Sequence, residues 1–502
     1  MATAAADHAD VTAFKPSRDR FEQVCAFLTD QEAAGLTHGE LEQRLTVDLR
    51  ELVRQLFQDH LDLRAAREPR RDDVVDVEGN RRGSVETGHL RPLQTIFGTV
   101  EVTRCAYRRR GQRNLYPADA CLNLPVELHS HGLRELSAIE ASRGSFQDAR
   151  DAVGRVTGIG LGKRQLEQLA VRAAVDFDAF YDRPARTHAE ATDGDLLVLS
   201  ADGKGIVMRP DALRPATAKA AAKATGKLKT RLSKGEKRNR KRVAEIGAVY
   251  DLTPLPRTPR DIIGRDPEAE RPVSPKARNK WLTASVVDNA ATVISSIFDE
   301  AQRRDPTHQR TWVALVDGAR HQIDCIQAEA TARKIKISIV CDFIHVLEYI
   351  WTAAWSFFPE ADPDAETWVA EKAHAVLSGQ ASTVAAAIRR KATRRNLDPQ
   401  TRRNADRCAD YLLAKKDYLN YPTALAAGWP IATGIIEGAC RHLVKDRLDL
   451  TGARWGLQGA QAILKLRALR SNADWDSYWT FHLKHERHRT HDTRYNADTT
   501  AA

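Results

Sequence analysis

Two aspartates close apolar runs of strand length, and each is followed by glycine. Leu196-Leu197-Val198-Leu199 leads through Ser200-Ala201 to Asp202-Gly203, and Trp312-Val313-Ala314-Leu315-Val316 ends at Asp317-Gly318. A buried strand that delivers a carboxylate at its end is an economical way to place a metal ligand. A third acid, Glu437, lies in Thr433-Gly434-Ile435-Ile436-Glu437-Gly438. Attack on a phosphodiester is served by two hard cations about 4 Å apart, one on the attacking and one on the leaving oxygen. Such cations prefer carboxylate oxygens. Two aspartates and a glutamate supply bridging and terminal ligands, and no nucleophilic side chain is then needed. On an α-helix Glu437, Arg441, Val444 and Leu448 share a face, which predicts that Glu437 points toward the two aspartates.

Basic residues surround these acids. Lys204, Arg441, Lys445, Arg447 and Arg454 are expected to hold phosphates, and Trp455 either stacks on a base or fills the core. The formal net charge is +10 from 77 Lys and Arg against 67 Asp and Glu, so a polyanion, with nucleic acid first, is the expected partner. The charge is local. Residues 209–242 hold 13 Lys and Arg, including Lys237, Arg238, Arg240, Lys241 and Arg242, against two acids, Asp211 and Glu236. That segment carries 13 − 2 = +11, which leaves the rest near −1. An arm so charged repels itself unless an anion is near, which predicts contact with DNA.

The elements that position these groups follow from periodicity. Beyond Leu196–Leu199, strands are predicted at Ile206–Met208, Val243–Tyr250, Trp312–Val316 and Ile335–Val340. Helices are predicted at Val286–Arg303 and His321–Arg333, and another through His345, Tyr349 and Trp355. Three strands joined by hairpins, followed by helix-crossover strands, imply a mixed α/β sheet covered by helices. If the first and fourth strands are parallel neighbours, both aspartates meet at one sheet edge. Upstream, residues 1–70 read as a helical module and 71–128 as a small β-ribbon module. Residues 129–190 read as a helix-turn-helix-like region, with Ser145 as a cap and Thr157-Gly158-Ile159-Gly160 as the turn. Residues 473–502 read as a polar tail.

The seven cysteines form no C-x-x-C pair, which fits reduced thiols in a cytoplasmic protein. Cys341 and Cys440 read as small buried residues. Cys105, Cys121, His129 and His131 match no standard zinc spacing, so zinc is not expected. The N-terminus has no apolar signal region, and no membrane partner is expected.

The runs "LSADGKG", "VALVDGARHQ", "CDFIHVLEYIW" and "GIIEGACRHLVKDRLDLTGARW", with the arm "LSKGEKRNRKR", resemble those of DDE transposases from bacterial insertion sequences, the ISKra group. The resemblance spans roughly residues 90–470. It implies an RNase H-like catalytic core over 191–360, a helical insertion over 361–430, and a last core part over 431–472 that carries Glu437. It implies that Asp202, Asp317 and Glu437 are catalytic and metal-binding, with two Mg2+ ions that Mn2+ could replace. Asp342 and His345 match a D-x-x-H signature and would be accessory. The partners implied are double-stranded DNA, as element ends and as target, and further copies of the chain in a homo-oligomer. The setting would be the bacterial cytoplasm, at the nucleoid when DNA is bound. The readings set against this are a nuclease without strand transfer and a transposase-derived DNA-binding protein without catalysis.

Overall fold

The computed structural model describes residues 12–183, 194–223, 240–264, 276–450 and 452–495. The chain divides into two units, Met1–Tyr181 with Asp474–Ala502, and Asp182–Ala473.

In the first unit, α1 (Lys15–Thr29) and α2 (His38–Ala66) form the helical start. Thr37 opens α2 with a capping box, its backbone N–H donating to Glu40 at 2.8 Å. The two helices are tied by Ser17, whose N–H and hydroxyl both donate to Asp59. Strands β1 (Ser84–Thr95) and β2 (Gly98–Arg108) pair antiparallel as a ribbon. Leu93, Val100 and Val102 from this ribbon bury against Leu61 of α2 and Leu124, as period-two alternation requires. Helices α3 (His131–Arg143), α4 (Phe146–Thr157) and α5 (Lys163–Ala173) follow. Ser145 caps α4 by accepting from the Asp148 N–H at 3.1 Å. Gly158, at φ +73°, ends it in the left-handed conformation that glycine takes without penalty.

The residues read as a polar tail behave otherwise. Trp475–Arg487 is a helix of this first unit, and Tyr495 is buried among Val74, Cys105, Tyr107, Leu115 and Ala120. Trp475, Tyr478, Trp479 and His482 fall at helical i, i+3, i+4, i+7 spacing, and the last three are buried, so the stripe was legible but was passed over among charged neighbours. His131 is sensitive in this unit. Burial, and secondarily Arg134, depress its imidazole to about 4, and its Nε2–H donates to the Asn123 carbonyl at 2.8 Å. A histidine held neutral in the folded state contributes stability that is complete above its unfolded value near 6.5 and is lost as pH falls toward about 4. Urea melts between pH 7 and 4.5 should show stability falling with pH. His131→Gln, which keeps a donor but cannot be protonated, should flatten that slope. An unchanged slope would remove His131 as its cause.

The second unit is built on a five-stranded mixed sheet in the order β5-β4-β3-β6-β7. Its strands are β3 (Leu196–Val207), β4 (Lys241–Leu252), β5 (Arg278–Ser285), β6 (Trp312–Val316) and β7 (Ile337–Cys341). The first three run antiparallel in sequence, while β3, β6 and β7 are parallel. Two expectations need correction. Leu196–Leu199 and Ile206–Met208 are not separate strands, because β3 runs unbroken from 196 to 207 against β4. The third antiparallel strand is Arg278–Ser285, missed because its Arg-Asn-Lys start hides the strand pattern, and the helix expected from Val286 starts at Ala290.

Helix α6 (Ala290–Arg304) packs on β3 and β4. Gly247 permits this, since a Cβ there would lie 2.4 Å from Ile297 Cγ2. The β6 strand is wholly buried, as expected of a parallel strand covered on both faces. Helix α7 (Arg320–Arg333) links β6 to β7, and α8 (Phe343–Ala354) follows β7. Then come α9 (Pro363–Leu377), α10 (Ala381–Arg394) and α11 (Pro399–Ala414), of which α11 packs on α8. After α12 (Gly434–Ala439), α13 (Leu457–Ser471) packs on β5. There Asn472 accepts from the Leu282 N–H at 2.8 Å and donates to the Leu282 carbonyl at 3.0 Å. A side-chain amide thus serves an edge strand in place of a further strand. Among the described residues, no helix is long and apolar enough to cross a membrane.

Candidate active site

The parallel register between β3 and β6 places the two aspartates. Ser200 pairs with Leu315 as the last matched position, so Asp202 and Asp317 each stand two residues further along neighbouring parallel strands. Neighbouring strands lie about 4.8 Å apart. The equal offsets, 315 − 200 and 317 − 202, both come to 115. Both side chains are half-buried. Asp202 Oδ1 accepts from the Gly203 N–H at 2.6 Å, and its Oδ2 accepts from the Cys440 thiol at 3.0 Å. Burial and the nearby Asp202 carboxylate push the Cys440 thiol far up, so it stays a protonated donor. Asp317 Oδ1 accepts from the Ala319 N–H at 2.8 Å. Between them Gly318 turns at φ +94°, and a Cβ there would meet the Tyr411 hydroxyl at 3.0 Å. Only glycine meets both the angle and the space.

Glu437 comes to the same edge through two anchors. One is Cys440, one turn further along, on Asp202. The other is Thr433, one turn earlier, whose hydroxyl lies 3.1 Å from Glu437 Oε1 and also touches Asp342 Oδ2. Asp342 is fully buried and ends β7. It accepts from the Ile344 N–H at 2.8 Å as the cap of α8 and from the Thr433 N–H at 3.3 Å, while its own N–H donates to the Val316 carbonyl. Asp342 therefore joins β6, α8 and the segment bearing Glu437. His345 does not share that network, since its Nδ1 faces Glu348 at 3.0 Å on the outer side of α8.

The face expected to carry Glu437, Arg441, Val444 and Leu448 together is not formed. Residues Cys440–Lys445 are a π-helix, whose wider turn breaks the 3.6-residue phase. Glu437 and Arg441 are exposed, while Val444 and Leu448 are buried. Among the described residues, no group of three or more His, Cys, Asp or Glu side chains stands ready to hold a metal ion. The donor chemistry suits a hard cation, since Asp202, Asp317 and Glu437 all offer carboxylate oxygen at an accessible edge. Their placement brings them to one end of the sheet without closing them into a ligand cluster.

The basic residues divide. Lys204, Lys241, Arg441, Lys445 and Arg454 are exposed, with Arg441 lying 3.6 Å from Asp446. Arg240 is half-buried. Lys237 and Arg238 lie outside the described residues. Three expectations of DNA contact are overturned here. Arg447 is buried, with its guanidinium 4.7 Å over the Trp455 ring. Trp455 is itself buried, donates Nε1–H to the Leu448 carbonyl at 3.0 Å, and bridges to Met208 at the end of β3. It fills the core. Arg242 is committed to the carbonyls of Val286, Ala212 and Val287. Each of the three has the same physical reason: a polar group beside unsatisfied carbonyls or an aromatic face is taken up by the fold first.

One acid went unread in the sequence. Glu245 pairs in register with Gly203 on β4. Burial raises its carboxyl, Arg214 and His321 pull it down, and Asp202 raises it. The one signal was a charge inside the apolar run Val243–Tyr250. Tyr411 was also missed; it sits on α11 with its hydroxyl 3.4 Å from the Asp317 carbonyl oxygen.

No family model matches this chain, and no curated protein matches it. Among solved structures, it is similar to a chain of the Drosophila P element transposase strand transfer complex, at 10% identity over 78% of this chain and 85% of that one, with a TM-score of 0.23. A likeness of that size carries no argument for fold or function.

Proposed function

We propose that this chain is a DNA transposase of the acidic-triad type, of the ISKra insertion-sequence group. Its second unit would be an RNase H-like core, with residues 361–430 as a helical insertion. The observation that supports this reading most is the β3–β6 register, which sets Asp202 and Asp317 level on neighbouring parallel strands. The Glu437 helix is tied toward both, through Cys440 and through Thr433 and Asp342. Asp202, Asp317 and Glu437 would hold divalent ions, Mg2+ or Mn2+, which when bound neutralise charge on the attacking and leaving oxygens of a phosphodiester.

The chain's own groups do the positioning. The Cys440 thiol and the Gly203 N–H each occupy one Asp202 oxygen and set its rotamer. Asp342, deep and triply hydrogen-bonded, holds the Glu437 segment against β6. Lys204, Lys241, Arg441, Lys445 and Arg454 provide exposed charge for DNA phosphates. Helices α4 and α5, with the turn between them, would read the element ends.

Pre-cut element ends incubated with target DNA and Mg2+ test the reading. Joined products are expected. Nicks without joining would mark a nuclease instead, and neither product with intact duplex binding would mark a binding protein. The arm has its own test. Residues 224–239 contain six Lys and Arg, and changing all six to Gln should reduce the slope of log affinity against log salt by about 0.9 for each phosphate they neutralise. An unchanged slope would place the arm away from the DNA.

A further inference from the structure

Beside Asp317 stand two tyrosines that the catalytic reading does not use. Tyr349 of α8 and Tyr411 of α11 are stacked, with ring centroids 4.1 Å apart and planes at 16°. Both are half-buried. The Tyr411 hydroxyl reaches the Asp317 carbonyl oxygen at 3.4 Å and abuts the Gly318 turn, so the pair is fixed to the residue that delivers the carboxylate. Burial drives the Tyr411 phenol far up, so it stays a neutral donor. Arg407, exposed, lies 5.7 Å from the centre of the Tyr349 ring. Along α11, Arg403, Arg407 and Tyr411 follow at four-residue spacing, which aligns them on one helix face. Arg403 is exposed too.

A row of cations that ends on a ring pair is what an unpaired strand requires. The guanidinium groups follow its phosphates, and a π-surface takes a base regardless of sequence. A paired base cannot use such a surface, because its faces are already stacked within the duplex. Core packing alone explains Tyr411, which is anchored at its hydroxyl. It does not explain why a half-buried tyrosine carries an exposed arginine over its ring beside the candidate active site.

We infer that Tyr349, backed by Tyr411 and covered by Arg407, is a stacking platform for one unpaired nucleobase next to the scissile phosphate. The base would stack on the Tyr349 ring once the exposed Arg407 side chain, now 5.7 Å from the ring centre, swings outward to admit it. This deepens the reading of the second unit as a DNA-processing core and rests on it.

The test uses the full chain in EDTA, so that no strand is cut. The probes are a blunt duplex and the same duplex with a four-nucleotide single-stranded extension that carries 2-aminopurine at its first unpaired position. The wild-type chain should prefer the extended probe by about tenfold, as one stacked base implies, and should quench the 2-aminopurine. Tyr349→Phe should keep both effects. Tyr349→Ala should lose both, while blunt-duplex affinity stays within about twofold. Arg407→Gln changes an exposed side chain and leaves the Tyr349–Tyr411 stack in place, and it should weaken the preference several-fold. Absence of preference in the wild type, or full preference in Tyr349→Ala or Arg407→Gln, would overturn the platform. That result would leave duplex binding and end-joining intact. Failure of the transposase reading would remove joining itself.

Discussion

Changing Asp202 or Asp317 to asparagine should lower cleavage and joining of element ends by about a thousandfold, with duplex affinity held within a few-fold. Asparagine preserves the shape of each site. At position 317 it can still accept from the Ala319 N–H, and at position 202 from the Gly203 N–H. What it removes is the negative charge that a hard cation needs. Fold and binding are therefore separable from chemistry in these variants. Glu437→Gln belongs to the same series, although its side chain is exposed and is anchored through the Thr433 hydroxyl. Should either aspartate variant join ends at the wild-type rate, the shared strand register would be a feature of the sheet with no catalytic meaning. Thr433→Val is the informative companion. It removes the hydroxyl set between Asp342 and Glu437 while keeping the shape, so it should cost less than the aspartate changes and should act on rate, not affinity.

The largest stability effect is expected in the first unit, at Arg134. Its side chain is wholly buried. It reaches Glu127 at 2.5 Å, Glu486 at 3.3 Å and His482 Nε2 at 3.1 Å. Arginine can only donate, so Nε2 accepts and the proton sits on Nδ1, which donates to Asp176 at 2.7 Å. Arg489 grips both Asp176 oxygens, at 2.8 and 3.0 Å, and returns to Glu486 at 2.7 Å. The groups close a ring between the α3 region and the C-terminal helix Trp475–Arg487. Burial alone would raise Asp176, but the hydrogen bonds from His482 and Arg489 hold it well below the usual carboxylate range. Its contribution is therefore present above an unfolded value of about 3.9 and is lost as pH falls further.

Arg134→Met removes a wholly buried cation from Glu127 and Glu486, but these keep Arg172 and Arg489, so the expected cost lies near the lower end of the range of about 3–5 kcal/mol for breaking a buried ion pair. Amide hydrogen exchange along residues 475–487 should accelerate by about a hundredfold or more, since 1.4 kcal/mol is a factor of ten. Arg134→Lys, which keeps charge but not the fork, should fall between. If exchange in Arg134→Met stays at the wild-type rate, the ring is not what secures this helix.

Much of the candidate site's geometry is local in origin. The apolar runs before each Asp-Gly specify strand and carboxylate within a few residues, so Asp202 and Asp317 could be named without a partner in view, although β3 runs on past Asp202 and only Gly318 makes a turn. Ser145 at the start of α4 and Gly158 at its end are equally local, because a cap and a left-handed turn depend on one side chain or on its absence. The count of three antiparallel strands before the first crossover agrees only because two errors cancel: β3 was read as two strands, and Arg278–Ser285 was missed. Composition sufficed to find the basic arm, since charge density is a property of the chain and not of its fold.

What the chain could not declare in one dimension is which of its polar and aromatic groups are consumed by long-range neighbours. Arg242, Arg447 and Trp455 look like DNA ligands by type, and burial against distant carbonyls and a distant strand end turns them into scaffold. The π-helical turn at Cys440–Lys445 shifts the phase of a face that regular helical spacing would align. The C-terminal helix finds Arg134 and Asp176 more than 300 residues earlier. Residue type and short-range spacing determine strands, caps and candidate chemistry, because those depend on torsions and side chains a few positions apart. Exposure, helical phase and partnership depend on contacts made only when remote segments desolvate one another, and so they belong to the folded molecule alone.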